Sequence, residues 1–112
     1  MRVLLDNCVD VRFASLLPQH EVKHARDLGW QDLSNGHLLA SAESAGFAVM
    51  ITTDKNIRFQ QNFKSRLIAL VTLAPRFTAF VHLAPLADQV NEALNQGVAP
   101  GTSLVITSDQ AD

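Results

Sequence analysis

Three aliphatic runs in this chain lead into aspartate: Leu4-Leu5-Asp6, Ile51-Thr52-Thr53-Asp54 and Val105-Ile106-Thr107-Ser108-Asp109. If these runs are neighbouring parallel strands, their end residues lie close together, because such strands are only ~4.8 Å apart. Two carboxylates about 5 Å apart repel by ~3 kcal/mol at an effective dielectric near 20. Such a pair calls for a shared cation or a shared proton. A hard ion such as Mg²⁺ takes one or two carboxylates together with waters and phosphate oxygens. The chemistry would be phosphodiester cleavage, with the ion activating a water and steadying the leaving oxygen. Asp6 and Asp54 are the expected pair. Taken singly, each serves equally well as the N-cap of a following helix. Asp109 is expected to be peripheral, and Asp27 and Asp32, on either side of Gly29-Trp30, to be solvated loop acids.

Other reactive residues offer less. His20, His24, His37 and His82 lack metal-ligand spacing and read as surface or edge residues. Cys8 has no evident partner for nucleophilic chemistry and is expected to pack as a small hydrophobe. Trp30 reads as a packing residue. No GxGxxG, Walker or GxSxG pattern occurs, so nucleotide-binding loops and serine hydrolase machinery lack their parts.

The elements that must position these acids alternate between two periodicities. Strands are expected over 2–5, 21–25, 47–53, 66–72 and 103–107, the fourth apolar enough to be buried on both faces. Between them fall helix-spaced sets: Val9, Phe13, Leu16 and Leu17 closed by Pro18, and Leu38, Leu39 and Ala42 after an N-cap at Ser34 and before Gly46. A short helical turn runs through Phe59 and Phe63, and a last helix after Pro85 turns Leu86, Val90, Ala93 and Leu94 inward. Regular alternation predicts an α/β fold in three layers, α/β/α, around a mainly parallel sheet of four to five strands. In such sheets ligands bind beyond the carboxyl ends of the strands.

Bulk properties agree with one folded domain over residues 1–112. Hydrophobic residues at 47% and charged residues at 18% fit a packed core and not a disordered chain. No run approaches the ~18 uninterrupted apolar residues of a membrane span. Met1-Arg2 leads directly into Val3-Leu4-Leu5-Asp6, so no secretory leader is expected. A single cysteine fits a reducing, cytoplasmic setting. The net charge of −2 argues against an obligate, tightly held nucleic acid. Its distribution is uneven, however. Lys55, Arg58, Lys64, Arg66 and Arg76 fall in an acid-free stretch, whereas Asp88 to Asp112 contains no Lys or Arg. That gives one candidate basic edge for a polyanion.

Leu4-Leu5-Asp6-Asn7-Cys8-Val9, His20-Glu21-Val22, Asp27-Leu28-Gly29-Trp30, Leu33-Ser34-Asn35-Gly36 and Leu38-Leu39 follow one another in a characteristic order. Ala45-Gly46-Phe47, Thr53-Asp54-Lys55-Asn56 and Gln60-Gln61-Asn62 continue it. Over roughly residues 1–75 the chain resembles the small bacterial PIN-like domain family, whose members are labelled predicted nucleases and often sit in toxin–antitoxin pairs. The resemblance implies that the strand ending at Asp6 lies beside the strand ending at Asp54. It further implies a Mg²⁺- or Mn²⁺-dependent endoribonuclease that cleaves RNA and is held by a small antitoxin protein. A homodimer, and no membrane, complete the expected partners. Asp6 and Asp54 fall on the family's acidic positions as catalytic and metal-binding residues. Asn35 and Asn56 fall where many relatives carry further acids, so the implied metal set contains two amides. Asn7, Arg12, Lys55, Arg58 and Gln61 are the expected substrate contacts, the basic ones through phosphates.

Two other readings compete. A PIN-like domain that has lost acids would bind RNA or protein without cutting. A phosphoacceptor receiver domain would also place an Asp at the end of its third strand, here Asp54, with Thr72 near the end of the fourth. It needs a Lys after the fifth strand, and this sequence has no Lys or Arg after Arg76, so the receiver reading is rejected.

Overall fold

The computed structural model describes residues 1–77 and 79–108. Strand β1 (Arg2–Leu5) is followed by a 3-10 helix over Val11–Leu16, β2 (Glu21–His24) and a second 3-10 turn over Ala25–Leu28. Helix α1 (Asn35–Ser44), β3 (Val49–Thr52), α2 (Ile57–Gln60), a 3-10 turn at Phe63–Ser65 and β4 (Ala69–Ala74) come next. Then follow α3 (Phe80–Leu83), a 3-10 turn at Ala84–Leu86, α4 (Ala87–Gln96) and β5 (Ser103–Thr107). All strand pairings are parallel, in the order β2-β1-β3-β4-β5. β1 therefore lies beside β3, with Leu5 opposite Ile51.

The sheet is covered on both faces because its central strands are apolar on both. Val3, Leu5, Val49, Ile51, Ala69, Val71 and Leu73 face one way, onto Phe13, Leu17, Leu83, Val90 and Leu94. Leu4, Met50 and Leu70 face the other way, onto Leu38, Leu39 and Ala42 of α1, Ile57 of α2, Phe63 and Ile68. The fold is thus α/β with helices on both faces of a five-stranded parallel sheet. Among the described residues, no helix is long and apolar enough to cross a membrane.

Several elements sit as expected. The Ser34 side chain caps α1 by accepting from the His37 N–H at 3.4 Å, and β5 covers residues 103–107. Trp30 packs edge-on to Phe47, with ring centroids 6.2 Å apart. Other boundaries move. The helix expected through Val9–Leu17 is a 3-10 helix that starts after Asp10, whose side chain accepts from the Arg12 N–H. The fourth strand begins at Ala69, three residues later than expected. Arg66 is drawn to Glu43 (2.7 Å) and Leu67 turns out to solvent, 74% exposed, so neither joins the ladder. The last helical region also starts earlier, at Phe80, in α3.

Gly101 has φ +80°, and a Cβ there would sit 2.6 Å from the Phe63 carbonyl oxygen. Gly29 has a similar φ, +75°, with open space around it. Gly29→Ala should cost about 1–2 kcal/mol, the left-handed backbone term alone. Gly101→Ala should cost at least about 1 kcal/mol more, because backbone must move. Urea unfolding of both variants checks this; equal losses would mean that the approach of Gly101 to the 63–66 turn is not tight.

Candidate functional site

Asp6 and Asp54 leave the sheet at the carboxyl ends of β1 and β3. These two strands flank the point where the strand order reverses, and open parallel sheets bind ligands at such a point. Asp6 continues the β1–β3 ladder, its N–H donating to the Ile51 carbonyl at 2.9 Å. Its side chain follows the parity of Leu4, so it lies on the α1 face of the sheet. Thr52 in β3 shares the parity of Met50, and its register partner Thr72 in β4 shares that of Leu70. A polar row of Asp6, Thr52 and Thr72 thus ends the apolar layer on that face.

Thr52 joins the two acids. Its hydroxyl, fully buried, donates to Asp6 Oδ2 at 2.8 Å and accepts from the Asp54 N–H at 3.0 Å. Asp6, only 6% exposed, also accepts from the Asn7 N–H on Oδ1 at 2.7 Å and from the Cys8 thiol on Oδ2 at 3.5 Å. The Asp54 carboxylate turns back onto its own loop, where Oδ1 accepts from the Asn56 N–H at 2.9 Å. So Asp54 does cap the turn that leads into α2, as an acid after a strand commonly does. Its second oxygen takes no hydrogen bond from the described residues.

Three further groups surround this pair. Asn7 donates its amide to the Trp30 carbonyl at 3.4 Å, while Asn7 Oδ1 is buried without a partner among the described residues. The Thr72 hydroxyl is buried and unpartnered in the same sense. Cys8 is exposed and not packed as a small hydrophobe, which corrects the expectation from sequence. Its sulfur lies 3.4 Å from Thr52 Oγ1 and accepts from the Thr53 N–H at 3.4 Å.

The expected ligand and substrate residues divide into two groups. Asn35 opens α1 and its side-chain amide donates to Gln60 Oε1 at 3.3 Å. Asn56 precedes α2 with no side-chain capping bond. Gln61 lies against Gly36 and accepts from Arg66 at 3.2 Å; Arg66 in turn is held by Glu43 of α1. Lys55 is exposed directly after Asp54, and Arg58 lies over the Phe59 ring at 4.4 Å. Arg12, by contrast, is engaged elsewhere. It forms a two-point ion pair with Asp10 (2.8 and 2.9 Å) and stacks over Phe80 of α3, which packs on the opposite face of the sheet from Asp6.

Sequence reasoning passed over Thr52, although period-2 alternation puts it on the Met50 side at the end of β3. It also passed over His24 as more than an edge residue. His24 is buried, donates from Nε2 to the Val9 carbonyl at 2.8 Å and accepts at Nδ1 from the Arg26 N–H. It thereby holds the loop after Asp6 against the end of β2. A cleft of about 380 Å³ opens there, lined by Asn7, Cys8, Asp10, His24 and Arg26. Asp109, the third strand-end acid, lies outside the described residues.

A donor set of this kind suits a hard cation. A cation held there would draw on the two carboxylates for charge and on the Asp54 oxygen and Asn7 Oδ1 that have no partner among the described residues, with water completing the shell. Among the described residues, no group of three or more His, Cys, Asp or Glu gathers around one point. No family model, curated protein or solved structure matches the chain.

The Asp10–Arg12 pair yields a pH prediction. Hydrogen bonds from the Arg12 guanidinium and then from its N–H hold the Asp10 carboxyl down from 3.8 to about 2, and the same pairing raises Arg12. A lowered carboxyl stabilises the fold above its unfolded pKa, and that contribution is lost as pH falls through the folded value. At pH 3 the Asp10 carboxyl carbon should therefore still show an ionised NMR shift, and Arg12→Ala, which keeps the backbone N–H, should raise its midpoint toward the ordinary value. An Asp10 midpoint near 3.8 in the unmodified chain would show that the pair does not persist in solution.

Proposed function

We propose that this chain is a Mg²⁺- or Mn²⁺-dependent endoribonuclease of the PIN-like kind, acting in the cytoplasm as the toxin of a toxin–antitoxin pair. The observation that supports the reading is the pairing of β1 with β3, which brings Asp6 and the loop that carries Asp54 to the switch point, the Asp6 carboxylate and the Asp54 N–H both bonded to the Thr52 hydroxyl. On this reading Asp6 and Asp54 hold the ion, with Asn7, Asn35 and Asn56 as neutral oxygen donors around it. Such an ion supplies the positive charge that activates water and steadies the leaving oxygen. Thr52 fixes the Asp6 carboxylate. Lys55 and Arg58 meet phosphates on the solvent side of Asp54, and the Glu43–Arg66 pair holds Gln61 where it can orient the sugar-phosphate chain.

One observation favours a second reading, a PIN-like domain that binds RNA or a protein partner without cutting. The Asp54 carboxylate already serves its own loop through Asn56, and amides stand at Asn35 and Asn56 where acids would add charge. Cleavage of single-stranded RNA with Mg²⁺ or Mn²⁺ separates the two. If the chain cuts, Asp6→Asn and Asp54→Asn should each lower the rate by about 10²-fold or more, the scale on which loss of one electrostatic group falls. Asp54→Asn should also abolish growth toxicity. RNA that is bound but left intact by the wild type with either metal establishes the second reading instead.

A further inference from the structure

The two edges of the sheet are built differently. At one edge β2 presents Glu21 and Lys23, with Glu21 tied to Arg2 at 2.9 Å. Charged side chains of this kind guard an edge against pairing with another strand. At the other edge β5 reads Ser103-Leu104-Val105-Ile106-Thr107, with no charge and no proline, and three of its five residues are β-branched. Among the described residues, no strand pairs with its outer side.

Which backbone groups face outward follows from the ladder. The Thr102 carbonyl accepts from the Leu70 N–H at 2.8 Å, and the β4–β5 register then runs unbroken from Leu70↔Ser103 to Ala74↔Thr107. Even-numbered residues therefore turn their N–H and C=O toward β4. Ser103, Val105 and Thr107 turn theirs outward, where among the described residues the Thr107 carbonyl alone is met, by Gln89 at 3.5 Å.

We propose that β5 pairs antiparallel with β5 of a second copy of this chain, about a two-fold axis at Val105. The strand is chemically symmetric around that residue: hydroxyl, aliphatic, valine, aliphatic, hydroxyl. Rotation sets Val105 on its counterpart, Leu104 opposite Ile106 and Ser103 opposite Thr107. Because the outward groups belong to residues 103, 105 and 107, each facing pair at those positions exchanges both backbone hydrogen bonds, the long Gln89 contact to the Thr107 carbonyl giving way to the facing Ser103 N–H. Leu104 and Ile106 already pack in the layer beneath α4, so their pairing carries that core across the axis. A groove of about 240 Å³ between α4 and β5, lined by Gln89, Glu92, Ala93 and Gln96 with Leu104 to Ile106, lies directly beside this edge. A self-matching patch is what a two-fold interface demands. A strand from a different protein would need no such symmetry, and that is why the second copy is the occupant. The inference is independent of the nuclease reading.

Light scattering on a sizing column tests it with the full chain. Wild type should run at twice the 12.2 kDa of one chain at tens of micromolar. Ser103→Lys with Thr107→Lys sets lysine against lysine and should weaken the dimer by roughly a hundredfold or more, giving a monomer with unchanged circular dichroism. Ser103→Lys with Thr107→Glu sets opposite charges together and should restore the dimer. Val105→Pro removes only the outward N–H on the axis, is tolerated at a free edge, and should also weaken it. A wild type that stays monomeric at about 100 µM overturns the proposal. So does a dimer that survives both the double lysine and the proline substitution, because another surface then holds it.

Discussion

Parallel pairing of β1 with β3 is the constraint on which the rest of this structure depends. The first and third strands become neighbours only because the chain crosses out to β2 and returns through α1 on the other face of the sheet. That reversal opens the carboxyl edge between them. Leu4, Met50 and Leu70 seal the sheet against α1 up to that edge, and one residue-pair further on the same face turns polar at Asp6, Thr52 and Thr72. The buried Thr52 hydroxyl is where fold and chemistry meet. Without a donor there, an almost fully buried carboxylate would lose a partner at a cost of about 1–3 kcal/mol. With it, Asp6 is fixed relative to the backbone that carries Asp54.

Around this centre, side chains on the two faces hold the loops. Glu43 of α1 reaches Arg66 and the Leu67 N–H, and Arg66 reaches Gln61, so the 61–67 segment is tied to the helix that begins at Asn35. On the β2 side, His24 bonds the Val9 carbonyl and closes the loop that follows Asp6. The proposed dimer edge, β5, lies two strands away from β3. Nothing in its use would cover Asp6 or Asp54, so pairing of two copies leaves both sites open.

Much of this was legible in the sequence, for identifiable reasons. Strand existence followed from short aliphatic runs, and the strand-end positions of Asp6 and Asp54 followed from where those runs stop. Ser34 announced α1 because a capping hydroxyl before Leu38, Leu39 and Ala42 has few other uses. What failed was governed by tertiary contacts. Nothing local distinguishes Arg66-Leu67 from strand; only the Glu43 carboxylate, 23 residues earlier in the chain, takes them out of it. Arg12 read as a phosphate contact because it follows Asp6 closely, yet the pull of Asp10 and the Phe80 ring turns it to another surface. Cys8 looked like core by residue type, but it sits where the backbone has already left the sheet. Thr52 was missed because a threonine at a strand end is ordinary until its register partner is known.

We propose that Asp6 and Asp54 act as one cation site and not as two separate turn caps. Thermal unfolding of wild type and Asp54→Asn, each with and without Mn²⁺, tests it most directly, because asparagine keeps the capping oxygen and removes only the charge. Metal at a hundredfold excess over its Kd should stabilise wild type by about 2.7 kcal/mol. Asp54→Asn should lose most of that gain while being at least as stable as wild type in the absence of metal. If Mn²⁺ shifts neither protein, or both equally, the two aspartates do not share an ion and the account of the site is wrong.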